Sequence, residues 1–181
     1  LSMIAVVGFI VCYSLYSDDM IDVSGGAPRY VLFSQITDII IDGKIISGAS
    51  GSAGEIGHIL CVDEADVVGR CGCGHKGCLE QIASATGIVN YAKLYLEHAS
   101  EISILRDKLD ENGDITAKDV IDAAKEGDIA AVRITDKVFM YLGKALAGVC
   151  NVVNPECVLI GGGVSAAGEY LRVGVERYFK I

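Results

Sequence analysis

The segment Arg70–Glu80, which reads RCGCGHKGCLE, places three cysteines within eight residues. Cys71 and Cys73 are separated by one residue, and Cys78 follows five residues later. The glycines between them allow a short loop to turn three sulfurs toward one point. A structural Zn²⁺ takes four nitrogen or sulfur ligands in a tetrahedral arrangement. The segment therefore predicts a zinc knuckle that needs one more ligand from the chain.

The spacing leaves the fourth ligand open between His58 and His75. His98 is a weaker candidate, because it falls on a predicted helix 20 residues beyond the last cysteine. The alternatives to zinc are three incidental thiols, an iron–sulfur site and a redox pair. The C-x-C spacing argues against the redox pair, which typically shows C-x-x-C.

Composition excludes several classes of protein. The 181 residues are 51% hydrophobic, which argues against a disordered chain. The formal net charge of −9 argues against nucleic-acid binding, which requires clustered Lys and Arg. It leaves ATP binding open, since backbone N–H groups and Mg²⁺ hold nucleotide phosphates.

The remaining cysteines and the first residues bear on the cellular compartment. Seven cysteines, an odd number, and no clear signal peptide argue against a secreted disulfide framework. The apolar segment 1–16 is too short for a membrane-spanning helix and is typical of a buried strand, with a membrane anchor as the alternative. We expect a soluble cytoplasmic protein that binds no membrane. Four cysteines outside the knuckle are expected to be buried free thiols: Cys12, Cys61, Cys150 and Cys157.

The pattern along the chain predicts an α/β fold. Strands are predicted at 30–33, 39–41, 44–46 and 157–160, with a Gly/Ser-rich loop over 48–57 and an irregular stretch over 59–79. Ser84, Thr116 and Asp128 are candidate N-caps for three helices, the last of which ends at Asn154-Pro155. A final helix is predicted from about Ala167 to Phe179.

Two motifs together carry a resemblance to a known family. Gly54-Glu55-Ile56-Gly57-His58, followed by the cysteine element, resembles the two-part signature of the ROK family of repressors, uncharacterised frames and sugar kinases. The likeness extends from about Tyr30 to Tyr178 and includes IIIDGKIISGASG and NPECVLIGGGVS. It implies an actin-like, ribonuclease-H-like α/β fold. Residues 30–181 would form mainly its C-terminal lobe, and residues 1–29 a poorly matched N-terminal segment of remnant strand.

The resemblance also implies roles for the site residues. His58 would be the fourth ligand of a closed, structural zinc site with Cys71, Cys73 and Cys78. Glu55 and Glu80 would accept hydrogen bonds from sugar hydroxyls, and the second ring nitrogen of His58 would donate to the sugar. Gly161, Gly162 and Gly163 would approach the nucleotide, with a plain tight turn as the alternative.

The implied activity is phosphoryl transfer from Mg²⁺-ATP to a hexose, most simply glucose, by a protein that pairs as a homodimer. The alternatives are a sugar-responsive transcriptional repressor of the family and a non-catalytic, zinc-stabilised sugar-binding module. The acidic charge and the absence of a helix-turn-helix pattern in residues 1–16 weigh against the repressor.

The chain departs from the family pattern in the parts that perform catalysis. No Asn-Asp pair supplies the expected base, and Asp19 is only a weak candidate. The Gly-Thr-Gly turn expected between two strands is replaced by the shorter, glycine-free 34–38. Three explanations are open. The given residues lack loops and a lobe that the whole protein has, or the chain is a fragment of a longer polypeptide, or it is a degenerate homologue. We favour the first two. We expect no turnover from the chain alone.

Overall fold

The computed structural model describes residues 4–6, 30–33, 38–41, 44–155 and 157–179. Within these ranges the chain divides into two compact units, Leu1–Gly57 with Gly143–Ile181, and His58–Leu142. The strands are β1 (Ile4–Val6), β2 (Tyr30–Phe33), β3 (Asp38–Ile41), β4 (Lys44–Ile45) and β5 (Cys157–Ile160). The helices are α1 (Glu80–Ala83), α2 (Ala85–His98), α3 (Ile104–Asn112), α4 (Ala117–Lys125), α5 (Ile129–Val153) and α6 (Glu169–Phe179).

The first unit is built on a five-stranded mixed sheet in the order β1-β5-β2-β3-β4. β5 lies between β1 and β2 and is parallel to both, while β3 and β4 continue the sheet in antiparallel fashion. The central position of β5 explains its apolar sequence CVLI, in which Cys157, Val158 and Ile160 are buried.

α6 and the last part of α5 belong to the same unit as the sheet. Leu171, Val175 and Phe179 of α6 are buried at the spacing of one helix face. A side chain at Gly143 of α5 would place its Cβ 2.6 Å from the carbonyl oxygen of Val175. Glycine at this position therefore permits the close approach of the two helices.

The second unit is mostly helical, and its predicted N-caps are confirmed. Ser84 accepts from the N–H of Gly87 at 3.0 Å at the start of α2. Thr116 and Asp119 form a complete capping box at the start of α4. Asp128 accepts from the N–H of Ala131 at 2.9 Å in the first turn of α5.

Helix α3 was not predicted from the sequence. Its residues ILRDKLDEN are mostly charged, and only Leu105 is buried, so the apolar periodicity is too weak to detect. Its first turn is held from a distance, because Asp128 also accepts from Ser103 Oγ at 3.0 Å and from Ile104 N–H at 2.9 Å. One carboxylate thus caps α5 and fixes the start of α3.

The predictions for the first 29 residues lie outside the described residues, except that Ile4–Val6 forms a strand. In the described part of the chain no helix combines the length and apolarity needed to span a bilayer. Of the cysteines expected to be buried, Cys157 is buried, Cys150 is half-buried, and Cys61 is exposed, contrary to expectation. Cys12 lies outside the described residues.

Candidate metal centre

Four side chains of the second unit converge as potential metal ligands: His58, Cys71, Cys73 and Cys78. Their ligand atoms all lie within 4.8 Å of one another. His58 Nδ1 is 3.4 Å from Cys71 Sγ, and Cys73 Sγ is 3.5 Å from Cys78 Sγ. A tetrahedral zinc site with ordinary bond lengths separates two sulfurs by about 3.8 Å and a sulfur and a nitrogen by about 3.5 Å. The residues present therefore fit such an ion.

The two other histidines are placed differently. The His75 ring nitrogen Nδ1 lies 3.5 Å from Cys73 Sγ, but His75 is exposed and is not one of the four mutually close residues. His98 is the last residue of α2, where it is exposed and lies outside the four-residue cluster. The geometry favours His58 over His75 as the fourth ligand.

Backbone hydrogen bonds join the segment after His58 to the cysteine loop. Leu60 and Cys78 form an antiparallel bridge, and Leu79 N–H donates to the Ile59 carbonyl at 2.9 Å. The carbonyl of Gly77 accepts from two N–H groups, those of Cys61 and Val62, at 3.1 and 3.0 Å. This pairing brings a histidine and a cysteine that are 20 positions apart into one cluster.

The cysteine loop is also fixed from within. Cys71 N–H donates to the His75 carbonyl at 2.8 Å, which closes the tight turn. The N–H of Cys73 points at Cys71 Sγ at 3.4 Å. Gln81 Oε1 accepts from Gly77 and Cys78 at 2.9 and 3.2 Å. Gln81 is a positioning residue that no sequence motif indicates.

The three thiols of the cluster differ in environment. Burial, together with the hydrogen bond to Glu80, raises the pKa of Cys71. Burial also raises the pKa of Cys78. Cys73 is exposed, and hydrogen bonds from the backbone of His75 and from the Cys71 side chain lower its pKa. In the absence of metal, Cys73 is therefore the thiol that ionises first.

Glu80 lies at the edge of this cluster, at the first residue of α1. Its Oε1 atom accepts from Cys71 Sγ at 2.8 Å and lies 3.8 Å from His58 Nδ1. The side chains of His58 and Glu80 are 37% and 43% exposed, so both are open to a solute. The structure thus brings two of the three expected sugar-binding residues together.

The other predicted site residues lie in the first unit or outside the described residues. Glu55 is exposed in the loop before the 3₁₀ turn Ile56–His58. Gly161–Gly163 follow β5 as predicted, but they lead into a five-residue 3₁₀ segment, Gly163–Ala167, and not directly into α6. These glycines therefore precede a 3₁₀ segment rather than the first turn of an α-helix. Asp19 lies outside the described residues.

A buried tyrosine anchors the loop between His58 and the cysteines. Tyr141 Oη donates to Asp66 at 2.6 Å and accepts from the N–H of Asp63 at 3.2 Å. Lys137 Nζ lies 2.9 Å from the same Asp66 carboxylate. The sequence predicts only a helix over this segment, and its pattern does not indicate a polar anchor.

Comparison with known proteins identifies the family. The model of the ROK family matches residues 37–180. The chain belongs to the ROK family. It is 42% identical over 142 residues to a glucokinase of Halalkalibacterium halodurans, covering 78% of this chain and 42% of that protein. It is 34% identical over 139 residues to the DNA-binding transcriptional dual regulator NagC of Escherichia coli, covering 76% of this chain and 32% of that protein.

A solved structure supports the fold. The crystal structure of a ROK family glucokinase from Streptomyces griseus, in complex with glucose and AMPPNP, aligns with a TM-score of 0.69 and 31% identity. The alignment covers 86% of this chain and 50% of that one. Structural neighbours of this kind are ROK sugar kinases with the actin-like ATPase fold, which agrees with the predicted fold class. The chain spans about half or less of the length of these relatives.

Proposed function

We propose that this chain is the metal-bearing part of an ATP-dependent hexose kinase, most simply a glucokinase. The observation that carries the proposal is the joining of Glu80 and His58 in one partly exposed cluster, within a chain 42% identical to a glucokinase. Residues 30–181 would form mainly the C-terminal lobe of the actin-like fold, and residues 1–29 a remnant of the N-terminal part. The whole polypeptide would act in the cytoplasm as a homodimer.

The four clustered ligands would hold a structural Zn²⁺. Four protein ligands leave no coordination position for substrate, so the metal would shape the site and take no part in phosphoryl transfer. With Nδ1 of His58 committed to the metal, Nε2 keeps its proton and becomes a fixed donor. The cluster is in this way a scaffold for sugar recognition.

The sugar and nucleotide would be held by different kinds of group. The carboxylates of Glu55 and Glu80 would accept from adjacent hexose hydroxyls, to which His58 would donate. The backbone of Gly161–Gly163 would contact Mg²⁺-ATP; Gly162 and Gly163 are exposed, and a Cβ at either would meet nothing within 4 Å. This open space supports a close backbone approach, and the 3₁₀ segment that follows would not supply the dipole of an α-helix. The catalytic base is unassigned, with Asp19 as the sequence candidate.

The second candidate function is a sugar-responsive repressor, which the 34% identity to NagC supports. A repressor would use the same sugar-binding cluster and add a DNA-binding segment. A non-catalytic sugar-binding module is the third hypothesis that the same residues allow. The kinase, the repressor and the binding module would all use this cluster, so measurements of catalysis and of DNA binding are needed to distinguish them.

A coupled assay of the full-length polypeptide that carries this chain tests the kinase proposal. Glucose, N-acetylmannosamine, fructose and allose are supplied with Mg²⁺-ATP, and phosphorylation of at least one hexose is expected. Sugar binding without turnover of any of the four would reject the kinase and favour a repressor or a binding module. Binding to operator-like DNA that responds to sugar would then separate those two.

Metal analysis tests the zinc proposal separately. The purified protein is expected to hold about one Zn²⁺ per chain, and Cys73→Ser to hold much less. Cys61→Ser is the matched control, because Cys61 lies close to the cluster in sequence but is not one of the four ligands. Equal metal content in Cys73→Ser and the unaltered protein would reject the ligand set.

A further inference from the structure

The three cysteines of the cluster differ sharply in access to solvent. Cys71 and Cys78 are buried, the latter completely, whereas Cys73 is exposed. The exposed sulfur of Cys73 lies 3.5 Å from the buried sulfur of Cys78. A small reagent can therefore reach the sulfur of Cys73, and the thiol of Cys78 lies next to it.

From this arrangement we infer that the cluster is a peroxide-sensitive site, at which a hydroperoxide oxidises Cys73, a Cys73–Cys78 disulfide forms, and the metal is lost. The inference rests on the metal site of the proposed function and not on the kinase activity. Zinc-bound cysteines are thiolates, the form that reacts with peroxides.

The chemistry balances with the hydroperoxide as the only oxidant. The Cys73 thiolate attacks one peroxide oxygen, the O–O bond breaks, and hydroxide or alkoxide leaves as a sulfenic acid forms on Cys73. The Cys78 thiolate then attacks the Cys73 sulfur, forming the S–S bond and expelling hydroxide. Two thiolates lose two electrons in total, the peroxide gains them, and solvent supplies two protons to the leaving groups.

Cys78 is a better partner for Cys73 than Cys71 is. A disulfide between Cys71 and Cys73 would close a small, strained ring across a single residue. The loop from Cys73 to Cys78 is longer and contains Gly74 and Gly77, both at positive φ. Glycines let this loop adjust as the sulfurs move from contact to bond distance.

Disulfide formation would change the whole site. His58 and Cys71 would remain as two ligands where four stood, which is insufficient for a stable zinc site. The Nδ1 atom of His58 would no longer be fixed, so the donor offered to a hexose would be lost with the metal. A dithiol and added zinc would restore the original cluster, because a disulfide is reversible.

The test treats the reduced, zinc-loaded protein with hydrogen peroxide in the absence of sugar and nucleotide. Zinc release is followed with a chromogenic chelator, and the cross-link is mapped by mass spectrometry of non-reduced peptides. We expect about one zinc released per chain, a Cys73–Cys78 link, and recovery on adding dithiothreitol and zinc. Zinc retention under peroxide, a link to Cys61 or Cys71, or irreversible sulfinic acid would overturn the inference.

Two variants sharpen the result. Cys61→Ser removes the exposed thiol outside the ligand set and should release zinc as the unaltered protein does. Cys73→His keeps four ligands but cannot form the disulfide, so it should retain zinc under the same treatment. If Cys73→His fails to bind zinc, the inference is judged from the peptide maps of the unaltered protein and of Cys61→Ser. A Cys73–Cys78 link in both supports it, and its absence overturns it. A purified protein without zinc would instead contradict the proposed metal site.

Discussion

Cys71 Sγ donates a hydrogen bond of 2.8 Å to Oε1 of Glu80. This contact needs a proton on the thiol, and a metal-bound cysteine has none. Loading the metal would therefore remove the donor and leave the Glu80 carboxylate available to other donors, such as sugar hydroxyls. Glu80 contacts a proposed ligand but is not one of the four itself, so its proposed role in sugar binding can be tested separately from metal binding.

Glu80→Gln should weaken hexose binding by about 10- to 100-fold, because an amide oxygen accepts from hydroxyls less strongly than a carboxylate does. Zinc content should stay at the level of the unaltered protein, since Glu80 is not one of the four ligands. Calorimetric titration with glucose and metal analysis give the two readouts. Glu97→Gln makes the same chemical change at an exposed site on α2 and should leave both unchanged.

Zinc affinity should rise steeply with pH. Burial raises the pKa of Cys71 and of Cys78, so both thiols keep their protons at neutral pH until the metal displaces them. Cys73 contributes less, because its pKa is lowered. Release of about two protons implies an affinity that increases about 100-fold per pH unit. Competition with a calibrated chelator over the neutral range measures the slope, and a flat dependence would contradict the expectation.

Gly77→Ala should damage the metal centre more than Gly74→Ala. Both glycines have positive φ, of 95° and 89°, so alanine strains the backbone at either by about 1–2 kcal/mol. At Gly77 the new Cβ would also lie 2.6 Å from the Val62 carbonyl oxygen, whereas at Gly74 it meets nothing within 4 Å.

Both variants carry the backbone strain of a positive φ, so the difference between them measures the effect of the contact with the Val62 carbonyl. Gly74→Ala should keep about one zinc per chain with a modest loss of stability, and Gly77→Ala should lose most of its zinc. Metal content and thermal unfolding measure the two effects. Equal zinc content in both variants would show that the pairing of Gly77 with Val62 does not hold the site together.

Asp119→Ala should lower the free energy of unfolding by about 1–2 kcal/mol, because it removes the capping box of α4. Hydrogen bonds from Lys108 and Thr116 lower the pKa of Asp119 from its ordinary value to about 2. A depressed carboxyl pKa stabilises the fold above the unfolded value, so this contribution is complete above about pH 4 and is lost as the pH falls toward 2.

Urea unfolding of Asp119→Ala and the unaltered protein checks this sign. The gap between their unfolding free energies should be constant near neutral pH and should narrow in acid. Asp110→Ala replaces an exposed aspartate on α3 and should have an effect within about 0.5 kcal/mol. A gap that widens in acid would rule out the assigned role of Asp119.

Local features of the second unit could be predicted because neighbouring residues determine them. Ser84, Thr116 and Asp128 cap the helices that follow, since a side-chain oxygen reaches an N–H two or three positions ahead. α5 ends at Val153, before Asn154-Pro155, as proline disfavours helical backbone in the residue before it. The cysteine spacing identified three members of the cluster for a similar reason.

The sequence by itself determined these caps, the strands and the set of candidate ligands, because each depends on residues a few positions apart. Only the tertiary structure decided which residues from distant segments meet. The Leu60–Cys78 bridge brings His58 rather than His75 into the cluster, and a carboxylate at Asp128 fixes the start of α3. Such contacts join positions separated by about 20 residues or more, where chain spacing imposes no geometry and only packing and hydrogen bonding select the partner.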